Sequence, residues 1–375
     1  MKIGFDGKRA ANNLTGLGNY SRSLITQLAE FFPQNQYFIY TPKVKDNPQI
    51  RTFFTIKNIL AKLPTSSKFL WRTLGVKNQL LADNIDIYHG LSHEIPLGIK
   101  KTGIPSVVTI HDLIFLKFPQ YFRLIDRLIY KFKSEYSCTQ ADQIIAISEQ
   151  TKRDIISFFN VNEEKIQVVY QSCDESFKIR VQPQIRLAVK DKYGLPDQYI
   201  LNVGTIETRK NLLTLIQALP AIPASCKLIV VGKETAYKEL VLQEIDKRSL
   251  NDRVLFLKDV PFTDLPAIYQ MASLFVYPSF YEGFGIPIIE ALYSEVPVVA
   301  ATGSCLEEAG GPGSIYVDPN DVTALSDAIN EVLKNPKLQE QMKQNGYQYV
   351  QRFNPDRIAT ELMGVYEKLY LGKEK

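Results

Sequence analysis

Short, unbroken apolar runs alternate with amphipathic stretches along the whole of this 375-residue chain. A run rich in Val, Ile, Leu and Tyr, with no polar alternation, reads as a strand covered on both faces, the pattern of a parallel sheet. Such runs fall at 2–5, 37–40, 85–89, 106–111 and 143–148, then at 167–170, 199–204, 227–232, 254–258, 274–278, 297–300 and 314–317. Helical patterns lie between them. Over 19–31, Tyr20, Leu24 and Leu28 recur at i, i+4 spacing, and 212–219, 323–333 and 355–371 also read as helices. Strand–helix alternation predicts a doubly wound α/β fold. The runs are too many for one sheet of ordinary size. Two such domains are therefore expected, over 1–172 and 173–354, with a last helix over 355–375. The irregular stretch 171–184 marks the join.

Composition narrows the class. A hydrophobic content of 45% and a charged content of 22% suit a soluble globular chain. Cys138, Cys173, Cys226 and Cys305 are scattered with no Cys-x-x-Cys pair, so neither a disulfide framework nor a zinc site is signalled. The start Met1-Lys2-Ile3-Gly4-Phe5 meets Asp6 at once, unlike a secretory leader. No run approaches the ~18 apolar residues of a membrane span. A cytoplasmic location is expected. Charge is uneven: residues 1–170 hold 22 Lys and Arg against 14 Asp and Glu, and the remainder holds 22 against 26. Arg51, Lys57, Lys62, Lys68, Arg72 and Lys77 fall in a stretch free of acids between Asp46 and Asp83, interleaved with Phe53, Phe54, Phe69, Leu70 and Trp71. Residues 51–77 could thus touch an anionic membrane surface, or be a solvated basic face with a few core anchors.

Ligands of doubly wound folds sit at the carboxyl ends of strands, and several polar segments fall there. Ser279-Phe280-Tyr281-Glu282-Gly283-Phe284-Gly285-Ile286-Pro287 follows the run 274–278, and Glu290 comes eight positions after Glu282. A glycine-rich turn opening a helix offers backbone N–H groups and a positive dipole end to an anion. Acids beside it cannot bind that anion but can hold hydroxyls, which points to a nucleotide-sugar. The plain alternatives are that Glu282 caps the turn and that Glu290, read as lying in the first helical turn, answers the dipole. Thr15-Gly16-Leu17-Gly18-Asn19-Tyr20 opens a helix after the first run; Gly16 and Gly18 would let a phosphate approach, or merely form a turn, since Ser21 replaces the third glycine of a dinucleotide fingerprint. Arg209 and Lys210 precede the helix 211–219, where the dipole repels cations. A bound diphosphate would resolve that conflict; an exposed basic turn is the rival reading. His111 ends a strand. His89 and His93 bracket a strand end and Gly90, which makes a metal pair improbable. No Asp-x-Asp triplet occurs, so no metal-held diphosphate and no cofactor are expected.

Together these segments closely resemble glycosyltransferase family 4, retaining enzymes of the GT-B fold. The resemblance runs nearly end to end through Thr15–Tyr20, Ile110-His111-Asp112-Leu113, 141–148, 203–212 and, most specifically, 278–292 with Pro297-Val298-Val299. It implies two Rossmann-like domains facing a central cleft, with the last helix crossing back to the first domain. By the same resemblance, His111 would contact the donor sugar, and Arg209 and Lys210 would neutralise the leaving diphosphate. Gly16 and Gly18 would line that diphosphate. Glu282 with the amides of Gly283, Phe284 and Gly285 would hold sugar hydroxyls and phosphate. Glu290 would bind the ribose, and Val260 the base. Thr205 stands where many members carry Arg, and Glu295 and Glu307 also depart from the family pattern.

The implied reaction moves a sugar, mannose from GDP-mannose by the best match, to a hydroxyl of a glycan or lipid-linked acceptor. The anomeric configuration is kept and no metal is used. Nucleic acid is not an expected partner, and the inner face of the membrane is an expected working place. The rival functions are a GT-B isomerase such as a UDP-sugar 2-epimerase, and a non-catalytic nucleotide-sugar binder.

Overall fold

The computed structural model describes residues 1–65 and 70–373. Lys68 and Phe69 of the basic stretch lie outside the described residues. The chain divides into two compact units, Met1–Gln171 with Phe353–Lys375, and Ser172–Arg352.

The first unit holds β1 (Lys2–Asp6), β2 (Gln36–Tyr40), β3 (Ile59–Lys62), β4 (Ile87–Gly90), β5 (Ser106–Ile110), β6 (Gln143–Ala146) and β7 (Ile166–Val168). They form one sheet in the order β3-β2-β1-β4-β5-β6-β7, and every pairing is parallel. The second unit holds β8 (Tyr199–Val203), β9 (Lys227–Val231), β10 (Val254–Leu257), β11 (Leu274–Tyr277), β12 (Val298–Ala301) and β13 (Ile315–Val317). Their order is β10-β9-β8-β11-β12-β13, again all parallel. The unbroken apolar runs are unbroken because both faces are covered: Val107, Val108 and Ile110 of β5 and Leu274, Phe275 and Val276 of β11 are all buried.

Each run read from the sequence is a strand, with ends shifted by no more than two residues. The one strand not foreseen is β3, an edge strand inside the basic stretch, whose apolar run is only Ile59-Leu60-Ala61 before Lys62 and whose Leu60 and Ala61 face solvent. The same stretch sends two of its aromatics to the interior. Phe53 and Trp71 are buried, and Arg72 donates to Asp6 and, at 2.7 Å, to Glu94. Among the described residues of the stretch, Phe54 is half-buried and Leu70 is exposed.

The closing helix Pro355–Lys373 belongs to the first unit. Leu362, Met363 and Tyr366 are buried there. Asn35 donates to the Met363 sulfur at 3.6 Å, and the Tyr366 hydroxyl meets His89 Nδ1 at 2.6 Å.

Both sheets reverse strand order once, between β1 and β4 and between β8 and β11. The loops leaving such strands are where a doubly wound sheet opens to a ligand. In the first unit, the loop after β1 ends in the helix Gly16–Phe31, which starts with no side-chain cap. Its two glycines are not equivalent. A Cβ on Gly16 meets nothing within 4 Å, whereas one on Gly18 would overlap the Asn13 carbonyl. Gly18 therefore serves the packing of the helix start, and only Gly16 leaves open space beside it. Gly18→Ala is expected to cost about 1–3 kcal/mol through this overlap, seen as a lower unfolding midpoint in denaturant. Gly16→Ala should move stability by less than about 0.5 kcal/mol.

Candidate active site

In the second unit, the loops after β8 and β11 are tied together by the backbone. The Phe280 N–H donates to the Arg209 carbonyl at 2.9 Å. Asn211, held at φ +56°, donates from its side chain to the carbonyls of Pro278 at 3.1 Å and Pro319 at 2.7 Å. Gly204 sits at φ +151°, and its carbonyl occupies the space a Cβ on Gly232 would need. These constraints hold the single turn Thr208–Lys210 against the start of the loop that carries Glu282.

The charged groups meet there. Arg209 pairs with Glu207 at 2.6 Å, donates to the Tyr281 carbonyl at 2.6 Å, and pairs with Glu282 Oε2 at 2.7 Å. Lys210 Nζ lies 2.6 Å from Glu282 Oε1, donates to the Tyr277 hydroxyl, and stands 5.0 Å above the Tyr277 ring. All three charged side chains are largely buried. Burial pushes the Glu282 carboxyl up, but Lys210 and Arg209 outweigh it and hold the group below the ordinary carboxylate value. Burial likewise works against the Lys210 charge, and Glu282 more than restores it. The two cations misplaced before the helix Leu212–Ala218 thus find their anion in Glu282 itself. Glu282 caps no helix: the next one, Ile286–Tyr293, starts after Gly285 with no side-chain cap.

Gly283, Phe284 and Gly285 complete the loop. Gly285 takes φ +145°, and a Cβ there would stand 2.9 Å from that of Ala309. The buried Cys305 thiol lies 3.1 Å from the Glu282 carbonyl and 2.7 Å from that of Phe284, which fixes the loop from below.

Glu290 is in the second turn of Ile286–Tyr293, not the first, so it does not answer the helix dipole. It is buried, and its Oε2 accepts from the Tyr269 hydroxyl at 2.8 Å. Burial, with Asp174 adding to it, raises the Glu290 carboxyl to about 8 against the Tyr269 hydrogen bond. The two acids eight positions apart are therefore shifted in opposite directions. Val260 lies half-buried in the loop after β10.

In the first unit, His111 follows β5 and is buried. Its Nε2 lies 2.9 Å from the Leu91 carbonyl, which can only accept, so Nε2 carries the hydrogen. Nδ1 then accepts from the Gln171 amide at 3.2 Å. The His111 backbone N–H donates to His93 Nε2 at 3.2 Å. Tyr20, from the helix that opens at Gly16, packs edge-on against the His111 ring at 4.6 Å. His89 lies between the Tyr366 hydroxyl and Thr109 Oγ1, the latter at 2.8 Å. These are the chain's three histidines. Burial lowers His89 to about 3, and burial with neighbouring positive charge lowers His93 and His111 to about 4. His111 is thus a neutral imidazole with both nitrogens engaged, which fixes its ring and does not suit it to carrying a proton.

The structure brings Arg209, Lys210 and Glu282 into direct contact and sets Gly283 to Gly285 beside them. Sequence reasoning missed Glu207, Tyr277, Tyr269, Cys305 and Gln171. A tyrosine ending a buried strand needs a partner for its hydroxyl, and that was a readable signal for Tyr277. Nothing in the sequence joins Gln171 to His111. No group of three or more His, Cys, Asp or Glu side chains among the described residues could hold a metal ion.

Two doubly wound parallel sheets, with an acid–base cluster at the switch point of the second, define a glycosyltransferase of the GT-B class. The solved structure of Anabaena HepE in complex with UDP and glucose matches this fold with a TM-score of 0.76 at 18% identity, over 98% of this chain and 100% of that one. The chain is 31% identical over 388 residues to O-antigen chain mannosyltransferase B of Escherichia coli, covering 98% of itself and 100% of that protein. It is 28% identical over 360 residues to O-antigen chain mannosyltransferase RfbU of Salmonella typhimurium, covering 93% and 95%. Residues 14–177 match the model for Glycosyltransferase Family 4, and residues 187–349 that for Glycosyl transferases group 1. The protein belongs to glycosyltransferase family 4.

The raised Glu290 gives a signed pH effect. The unfolded carboxyl ionises above about 4.5, while the folded one stays protonated to about 8. Its contribution to stability is full below 4.5 and is lost as pH rises through 8. Glu290→Gln, a neutral isostere, should match the parent midpoint below pH 5 and exceed it by about 3 °C or more at pH 8.5 in thermal unfolding.

Proposed function

We propose that the enzyme transfers mannose from GDP-mannose to a hydroxyl of a glycan or lipid-linked acceptor with retention of configuration. The observation that carries this reading is the buried cluster of Arg209, Lys210 and Glu282 on two loops at one sheet's switch point. The mannosyl part is supported by the relatives, both named as O-antigen mannosyltransferases. Retention and GDP are supported by the family resemblance.

In this reading the bond between the anomeric carbon and the diphosphate oxygen breaks. The acceptor oxygen bonds to that carbon from the same face, and its proton passes to the departing diphosphate. Arg209 and Lys210 stabilise the charge that grows there, which makes a metal unnecessary. Glu282 orients both cations and, by a shift of its own contacts, holds sugar hydroxyls with the loop from Gly283 to Gly285. Glu290 accepts from the ribose hydroxyls, which favours its ionised form, so donor binding releases a proton near neutral pH. Val260 lies against the base, Gly16 beside the diphosphate, and His111 against the sugar. The neutral, doubly bonded ring of His111 supports a positioning role.

A thermal-shift panel of GDP-mannose and the common UDP-, ADP- and dTDP-sugars tests the donor. The true donor at 100 times its Kd stabilises the fold by about 2.7 kcal/mol. The shift with GDP-mannose should be the largest and unchanged by a chelator. Lys210→Ala should lower kcat/KM for transfer by about 100-fold or more. A larger shift with another sugar nucleotide would overturn the donor, and unaltered transfer by Lys210→Ala would overturn the site.

A further inference from the structure

We propose that Gln171 is a positioning residue for the transfer, whose side-chain amide sets the tautomer and the seat of the His111 ring. The inference rests on the reading above that places His111 against the donor sugar. His111 has four polar atoms, and each has a partner. Its backbone N–H donates to His93 Nε2 at 3.2 Å, and its carbonyl accepts from the Thr151 hydroxyl at 3.3 Å. Its Nε2 donates to the Leu91 carbonyl at 2.9 Å, and its Nδ1 accepts from the Gln171 amide at 3.2 Å. The partners come from the loop after β4, from the helix Glu149–Phe159 and from the segment after β7. Of the two that hold the ring nitrogens, Leu91 uses its backbone and Gln171 its side chain, so the ring's seat is set by side-chain identity at position 171 alone.

Chemistry fixes the direction of these bonds. A carbonyl has no hydrogen to give, so Leu91 requires the proton on Nε2. Nδ1 is then a bare acceptor on a buried ring, and an unmet acceptor there is costly. Gln171, itself buried, supplies the hydrogen. An amide does so without charge, whereas a carboxylate at the same place would favour the imidazolium. The surroundings lean the other way. His93 and Arg9 oppose a positive charge on the ring and Asp112 favours it, while His89 and His111 oppose charge on each other. Tyr20, packed edge-on, stays neutral, its hydroxyl raised to about 12 by burial. The ring is therefore held neutral, in one tautomer and in one place. That matters for transfer because a misplacement of about 1 Å can cost about 100-fold in rate.

Nitrogen NMR of the full chain, labelled in its three histidines, reads the tautomer without donor or acceptor. The His111 signals are those lost in His111→Asn. At pH 7 the parent should show a protonated Nε2 and a bare Nδ1. Gln171→Glu keeps the shape and reverses the bond, so it should place a proton on Nδ1 and raise the His111 titration midpoint from about 4 by at least about one pH unit. Gln171→Met keeps the length and removes the bond without adding charge. Each variant should lower kcat by about tenfold or more and change the donor KM by less than about threefold, measured with whichever sugar nucleotide gives the largest shift in the donor panel. Failure of the mannosyl reading would show in that panel and leave the histidine spectra as described. A proton on the parent Nδ1, a His111 midpoint unmoved by Gln171→Glu, or parental kcat in both variants would each overturn the proposal.

Discussion

Two cations and one carboxylate, all largely buried, hold the second unit's site together. Removing Arg209, Lys210 and Glu282 from water works against each charge, and their mutual contact outweighs that effect in all three. That contact requires the turn after β8 and the loop after β11 to lie side by side. The bonds from Phe280 to Arg209 and from Asn211 to Pro278 supply the register. The cluster also settles a local conflict: cations just ahead of a helix start are repelled by its dipole, and Glu282 supplies the missing negative charge from another element. These three groups leave one positive charge in excess, and an incoming anion meets cations that are already aimed.

Burial tunes the remaining groups by the same rule with different neighbours. Glu282 and Glu290 share one loop–helix segment, yet one is lowered by two cations and the other raised by a hydrophobic site that offers only the Tyr269 hydroxyl. Acids pushed apart in this way are fitted to separate tasks. The three histidines show the complementary case, where burial removes the charge and hydrogen bonds choose the tautomer. A chain from Tyr366 through His89 and Thr109 reaches toward Tyr20, which packs on His111. Three residues thus link the closing helix to the ring it helps to seat.

The fold was legible because parallel strands buried on both faces leave unbroken apolar runs, and each such run is a strand. Strand β3 escaped because its apolar run is only three residues long and ends at Lys62 within a basic stretch. The identities of Arg209, Lys210, Glu282 and His111 were legible from their places at strand ends. Their arrangement was not, since residues 209 and 282 are joined only by the pairing of β8 with β11. Sequence spacing placed Glu290 in a first turn because it does not show that the helix waits until Ile286. Gly16 and Gly18 looked alike for a similar reason. Only the path of Asn13 over the helix start tells the open glycine from the packed one.

The helix Leu124–Gln140 exposes a deeper limit of pattern reading. Periodicity reports that one face of a helix is apolar, and the usual inference adds that this face points inward. Here the inward face is the one with Ser134, Ser137 and Cys138, whose small side chains allow close approach to the sheet, and Ile95 N–H donates to Ser137 at 3.2 Å. The inward face is satisfied by hydrogen bonding and fit, so the apolar stripe of Leu124, Ile125, Leu128, Ile129 and Phe132 stays exposed and is not needed for the core.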